Sequence, residues 1–98
     1  MATDAERLDE ADACHDDDAA RAAGLLRSID VAQLPAARWP GYAFLLNHVL
    51  GEKLTRWDAA LEHHRALLAQ AQPAPAALLW RQAATAARLA GEIGRAHV

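Results

Sequence analysis

Residues 76–96 read AALLWRQAATAARLAGEIGRA, and this stretch carries the clearest structural signal in the chain. Its apolar residues recur every three or four positions, which is the spacing of one face of an α-helix. The pattern predicts a helix over residues 76–90, a turn at Gly91 and a short helical stub from about residue 92. Trp80 is expected in the core, because large aromatic side chains commonly anchor helix packing.

The same composition extends through the rest of the chain. Alanine, the strongest helix former, supplies 26 of the 98 residues, and no segment alternates apolar and polar residues long enough to predict a sheet. The prediction is one all-α domain over residues 1–98, and short connections favour antiparallel helical hairpins. The expected helices span residues 4–14, 17–33, 41–54, 56–71 and 76–90.

Several helix boundaries are marked by residue type. Thr3-x-x-Glu6 and Thr55-x-x-Asp58 both match the capping box, in which two side chains satisfy free backbone amides at a helix start. The acidic residues 16–18 are expected to stabilise the positive end of the following helix. The four prolines predict two first-turn positions and two helix stops: Pro40 and Pro75, then Pro35 and Pro73.

Charge is distributed unevenly along the chain. The formal net charge is −3, but residues 1–18 carry eight acidic groups against one Arg, and residues 19–98 have a net charge of +4. An acidic chain is a poor partner for nucleic acid, and no apolar run is long enough to span a bilayer. The single cysteine, Cys14, excludes an internal disulfide and is typical of a reducing, cytoplasmic setting.

A spacing of i, i+4, i+7 and i+13 occurs twice, 38 residues apart. The two series are Ala22, Leu26, Ile29 and Pro35, then Ala60, His64, Leu67 and Pro73. The pattern Trp80-x2-Ala83-Ala84-x2-Ala87-x3-Gly91-x4-Ala96 follows them. In this succession the chain resembles a tetratricopeptide-type helical repeat, in which small residues let paired helices approach closely.

The resemblance implies hairpin units over about residues 4–40, 41–76 and 77–98, stacked as a short right-handed superhelix whose last unit is incomplete. The middle unit departs from the pattern at three positions. Asn47 and His48 stand where Leu and a small residue are usual, and Gly51 stands where an aromatic or large apolar residue is usual. The first helix fits poorly, so a helical hairpin array of another family is the alternative. Because the last unit is incomplete, Trp80, Ala84 and Ala87 are expected to be covered by a second copy of the chain or by a continuation of it.

The resemblance also implies a concave groove lined by the first helix of each unit. Such a groove binds a peptide or helix of another protein, with basic side chains meeting acidic groups on the partner. The residues expected to line it are Tyr42, Leu45, Leu46, Val49, Lys53, Arg81, Gln82, Thr85 and Arg88. The alternative function is self-association as a homodimer through residues 77–98, without a separate ligand.

Catalytic and metal-binding functions find little support in the residue pattern. His48 and His64 are expected to point between the same two helices as a hydrogen-bonded interior pair. Two imidazoles fall short of the four ligands of a structural zinc site, and nothing in the sequence places Cys14 or His15 beside them. The carboxylates of residues 16–18 are explained by the helix start. We therefore expect no enzyme activity, no metal and no cofactor.

Overall fold

The computed structural model describes the backbone of residues 2–70 and 76–96, and the side chains of residues 2–70 and 79–91. Within these ranges every regular element is helical, which confirms the all-α prediction. The boundaries predicted from Pro73 and Pro75, and the side chain of Ala96, lie outside the described parts. The five α-helices are α1 Asp4–Cys14, α2 Ala19–Ser28, α3 Trp39–Leu45, α4 Trp57–Gln70 and α5 Ala76–Ala96.

Helix α1 begins at Asp4 as predicted, and α2 begins at Ala19, two residues after its predicted start at residue 17. The backbone N–H of Glu6 donates to Thr3 Oγ1, and the N–H of Thr3 donates to Glu6 Oε1, both at 3.1 Å, so the capping box is confirmed. Asp18 caps α2, since its Oδ1 accepts from the backbone N–H of Arg21 at 3.0 Å. These bonds connect residues three apart, and so they depend only on local sequence.

Helix α2 ends earlier than the predicted span of 17–33. Ser28 Oγ donates to the Leu25 carbonyl at 2.7 Å, and Asp30 Oδ1 accepts from the N–H of Ala32 at 3.0 Å. Such side-chain bonds offer the backbone an alternative to the helical ladder. The chain then continues through two short 3₁₀ turns, Val31–Gln33 and Ala36–Arg38, before α3 begins.

The predicted helix over residues 41–54 is divided in two. Pro40 lies in the first turn of α3, as predicted, but after Leu45 the chain widens into a π-helix over Leu46–Lys53, called here the π segment. A π-helix closes its hydrogen bonds over one more residue than an α-helix and is rare in proteins. It ends at Lys53, and two residues later Thr55 has a left-handed φ of 53°.

This left-handed turn explains why the second predicted capping box is wrong. The Thr55 hydroxyl donates to the Leu54 carbonyl at 2.7 Å, and α4 begins only at Trp57. Gly51, which departs from the repeat pattern, also has a packing reason. A Cβ at this position would lie 2.5 Å from Cε3 of Trp57, so the indole ring occupies the space of the missing side chain.

The core is formed by small residues at the helix crossings and by larger ones between them. Ala11, Ala22, Ala60 and Ala86 are completely buried, as a close approach of helices requires. Helix α1 packs on α2, α4 packs along α5, and the π segment lies against α2 and α4. Trp39 and Trp57 are buried. The largest side chains with almost no exposure are Tyr42, Leu26, Leu46, Leu50, Leu67, Leu79, His64 and Val49.

Two expectations about α5 are wrong. The helix runs through Gly91 without a turn, because glycine in a helix interior costs only about 1 kcal/mol relative to alanine. Trp80 is 61% exposed and is not a core residue. Among the described residues, no helix combines the length and the apolar character needed to cross a membrane.

The acidic N-terminal segment forms ion pairs with the basic body of the same chain. Glu10 pairs with Arg21 and Asp9 with Arg38, while Lys53 Nζ lies 3.1 Å from Asp16 Oδ1. Exposed pairs of this kind contribute little to stability, because water screens the charges. Their main consequence is that much of the charge asymmetry of the sequence is compensated within one molecule.

Candidate partner-binding site

Four of the nine residues expected to line the groove are buried. Tyr42, Leu45, Leu46 and Val49 are at most 4% exposed, so their expected role as surface contacts is wrong in this structure. These side chains fill the interior between α3, the π segment and their neighbours, where burying them removes apolar surface from water. Burial also raises the pKa of Tyr42 to about 12, which keeps its phenol neutral.

The other five residues reach the surface. Lys53 contacts Asp16, and Arg81 is exposed on α5. Gln82, Thr85 and Arg88 line a cleft of about 350 Å³ between α5 and the segment formed by α3 and the π segment. This Phe44 cleft is lined by Phe44, Asn47, His48, Glu52, Trp57, Gln82, Thr85, Arg88 and Leu89.

The Phe44 cleft therefore occupies the place of the predicted groove with a register shift of one residue. Phe44 and His48 face the cleft, whereas the prediction assigned Leu45 and Val49. Phe44 is 56% exposed, and its ring stacks on that of His48 with the centroids 5.7 Å apart. Hydropathy alone could not have given this register, because Phe44 is as apolar as Leu45 and Val49 and is nevertheless exposed.

A second and more apolar cleft lies between α4 and α5. It has a volume of about 410 Å³ and is lined by Leu61, Arg65, Leu68, Trp80, Ala83, Ala84 and Ala87. Leu61 and Leu68 lie seven residues apart on α4, and Trp80 and Ala87 lie seven apart on α5, so each wall extends over two helical turns. We call this feature the Trp80 cleft.

The Trp80 cleft exists because α5 carries two apolar stripes. Leu79, Ala83 and Ala86 form one stripe and are buried against the body of the protein. Trp80, Ala84 and Ala87 form the other, with the same spacing of i, i+4 and i+7, and all three are exposed.

Two exposed arginines lie in or near the Trp80 cleft. Arg65 lines it on α4, and Arg81 follows Trp80 on the exposed side of α5. Among the described residues, neither guanidinium has an ion-pair partner, although acidic groups are numerous elsewhere on the surface. The lining of the cleft is therefore apolar apart from the positive charge of Arg65 on α4.

The two histidines expected to pair with each other lie in different environments. His64 is 1% exposed, and its Nε2 lies 2.8 Å from Asn47 Oδ1, while Asn47 Nδ2 donates to Gln82 O at 3.0 Å and to Gln82 Oε1 at 2.8 Å. Burial, with a smaller contribution from neighbouring His63, lowers the pKa of His64 to about 4. His64 is thus a neutral core residue that joins α4, the π segment and α5.

His48 instead lies beside His15. The two rings meet edge to face with centroids 5.0 Å apart, and Asp16 is adjacent to both. One ligand atom from each of His15, Asp16 and His48 lies within 4.8 Å of the others. The expectation that nothing brings His15 near His48 is therefore wrong, because proximity across 33 residues is set by tertiary packing and leaves no local sequence signal.

No family model, curated protein or solved structure matches this chain. The tetratricopeptide resemblance thus rests on the residues of this chain alone.

Proposed function

We propose that this protein is a protein-interaction module that binds an amphipathic helix of a different protein in the Trp80 cleft. The observation that carries the proposal is the exposure of Trp80 within an apolar cleft formed by two helices. A large aromatic residue left open to water beside other apolar groups is typical of an interaction site. Tryptophan is also enriched among the residues that contribute most to binding energy at interfaces.

The dimensions of the cleft favour a short helical segment as the ligand. From Trp80 to Ala87 the exposed stripe rises by about 10 Å, which is two turns of helix. A partner helix that presents apolar residues at i, i+3 or i+4, and i+7 would match this length. The small side chains of Ala84 and Ala87 would let its backbone approach closely.

The charge at the cleft edges favours acidic residues on the partner. Arg65 lines the α4 wall of the cleft, and Arg81 is exposed next to Trp80 on α5. Carboxylates flanking the apolar stripe of the partner would form charge-assisted hydrogen bonds with them. A basic partner helix would place like charges together and is disfavoured.

A different protein is a better fit than a second copy. The acidic groups of this chain that could meet Arg65 and Arg81 lie mainly in residues 1–18, and three of them, Asp9, Glu10 and Asp16, already pair within the same molecule. Binding a second copy through that segment would break these pairs. Homodimerisation through residues 77–98 is the competing proposal.

Finer features of the prediction belong to the same proposal. These are a tetratricopeptide-like superhelical arrangement, a role as an adaptor or scaffold, and a cytoplasmic setting. The resemblance of residues supports the first two, and the free cysteine Cys14 is typical of a reducing setting such as the cytoplasm.

The test is a selection from a displayed library of amphipathic helices that share one apolar stripe and carry acidic, neutral or basic flanks. We expect the wild-type chain to enrich acidic flanks, and the Trp80→Glu variant to lose the enriched peptides. Phe44→Glu is the matched control, since Phe44 is a similarly exposed aromatic in the other cleft. The double variant Arg65→Glu, Arg81→Glu should reverse the preference to basic flanks.

Light scattering of the free protein decides between a foreign partner and a second copy. We expect a monomer at all concentrations for both the wild type and Trp80→Glu. A wild-type dimer that Trp80→Glu converts to a monomer would identify a second copy as the ligand and overturn the proposal. Enrichment that persists in Trp80→Glu would show that the cleft is not the binding site.

A further inference from the structure

The side chains of His15, Asp16 and His48 form a cluster separate from the Trp80 cleft. His15 and Asp16 follow the last turn of α1, and His48 lies in the π segment. The ion pair between Lys53 and Asp16 connects these two parts of the chain. Both histidines are partly shielded, with about a fifth to a quarter of each side chain exposed (18% and 28%), so the cluster is held in place yet open to solvent.

The hydrogen bonds of the two histidines leave the same ring nitrogen available in each. His15 Nδ1 lies 2.5 Å from the Asp12 carbonyl oxygen, and His48 Nδ1 lies 3.0 Å from Glu52 Oε2. A carbonyl or carboxylate oxygen can only accept, so Nδ1 carries the proton in both rings. Nε2 of each ring is then an unprotonated lone-pair donor in the neutral form.

This arrangement is the one that metal-ligating histidines adopt in proteins. Such a histidine donates its second ring N–H to a carboxylate or a backbone carbonyl, which fixes the tautomer and the ring orientation. Here His15 uses a backbone carbonyl and His48 uses a carboxylate. His15 Nε2 also lies 3.4 Å from Asp16 Oδ1, close to the spacing of about 3.4 Å between two ligands of a tetrahedral zinc ion with bonds near 2.1 Å.

The local backbone is a second, independent indication. His48 lies inside the π segment, and π-helical turns are rare and occur frequently at functional sites. The ring of Phe44 stacks on His48 from the other side and limits its rotation.

We infer that His15, Asp16 and His48 bind a divalent transition-metal ion, with Zn²⁺ as the expected ion and water completing the coordination. Two imidazoles and one carboxylate match the ligand preferences of zinc. The ligand atoms lie within 4.8 Å of one another and must approach to about 3.4 Å, which requires small rotations of the side chains, that of His48 included. Bound Zn²⁺ would join the end of α1 to the π segment.

Lys53 makes a distinctive prediction for this site. Its ammonium group lies 3.1 Å from Asp16 Oδ1 and competes with a cation for the same carboxylate. Replacing it by methionine keeps the length of the side chain but removes the charge. Zn²⁺ should therefore bind several-fold more tightly to Lys53→Met, whereas a carboxylate with only a structural role would give no such gain.

The experiment is calorimetric titration of the untagged full-length chain with Zn²⁺ at pH 7.5. We expect one ion per chain, at least tenfold weaker binding in His15→Gln, His48→Gln and Asp16→Asn, and unchanged binding in the control His63→Gln. Circular dichroism of each variant verifies that it is folded. An absence of binding to the wild type, equal loss in His63→Gln, or no change in the His15 and His48 variants would each overturn the inference.

Discussion

The imidazole of His64 donates from Nε2 to Oδ1 of Asn47 across a distance of 2.8 Å, inside the core. The direction follows from Asn47, whose Nδ2 donates to both the carbonyl and the side-chain oxygen of Gln82, which leaves Oδ1 as the acceptor. His64 Nδ1 is therefore unprotonated, and it has no hydrogen-bond partner among the described residues. A buried imidazole held in this form makes the fold sensitive to acid.

The free energy of unfolding should fall as the pH decreases from about 6.5 to about 4. Above pH 6.5, His64 is neutral in both the folded and the unfolded chain. Between pH 6.5 and 4, the unfolded chain binds a proton at His64 and the folded chain does not, because burial lowers the pKa of His64 from 6.5 to about 4. The loss should reach about 3 kcal/mol at the lower limit. Urea melts at several pH values measure this decrease in the free energy of unfolding.

His64→Gln is the control for this pH dependence. Glutamine can still donate to Asn47 Oδ1 but does not titrate, so the variant should lose the part of the acid sensitivity that belongs to His64. Equal slopes for the wild type and His64→Gln between pH 6.5 and 4 would contradict the assignment.

Asn47→Ala should destabilise the protein more than Gln82→Ala. The first change leaves the buried His64 Nε2–H without an acceptor, which costs about 1–3 kcal/mol in addition to the cavity. In the second, Asn47 Nδ2 keeps the backbone carbonyl of Gln82 as its acceptor, so we expect a loss below about 1 kcal/mol. Denaturant melts of both variants test the order, and the reverse order would mean that the network does not bind the helices together as described.

Gly51→Ala should destabilise the fold by about 1–3 kcal/mol, because its new methyl group would overlap the ring of Trp57. Gly24→Ala in α2 is the matched control. A Cβ at Gly24 meets nothing within 4 Å, so the change should be neutral or stabilise by up to about 1 kcal/mol. Thermal melts compare them, and equal effects at the two glycines would argue against the Trp57 contact.

Leu45→Asp and Trp80→Ala should have effects opposite to those expected from the repeat pattern. Leu45 is buried, and a carboxylate in its place should unfold the protein. Trp80 is mostly exposed, so its truncation should cost less than about 1 kcal/mol and not the 3–5 kcal/mol of a core tryptophan. Circular dichroism shows whether each variant is folded, and urea melts measure its free energy of unfolding. A stable Leu45→Asp variant together with an unfolded Trp80→Ala variant would show that Leu45 lies at the surface and Trp80 in the core.

Much of the helical framework could be predicted from the sequence, and the correct predictions share one property. The capping box of Thr3 and Glu6, the cap at Asp18 and the first-turn position of Pro40 all depend on groups within three residues of one another. Thr55 has equally suitable chemistry, but the preceding π segment turns it into a left-handed conformation that the capping pattern does not anticipate.

Local sequence does not determine which side chains come together to form the candidate sites. The stripes of Leu79 and Trp80 on α5 have the same periodicity and lie one residue apart, so pattern alone cannot say which is buried. Packing against α4 buried Leu79 and left Trp80 in a cleft. Likewise, the approach of His15 to His48 follows from how α1, α2 and the π segment pack.

Helical periodicity, helix caps and the excess of alanine were thus sufficient for the all-α class and for most helix starts, since those energies arise between near neighbours. The tertiary structure alone determines which helix faces meet and which apolar and titratable side chains remain at the surface. Those energies come from contacts between residues distant in sequence, where a shift of one position exchanges a buried stripe for an exposed one.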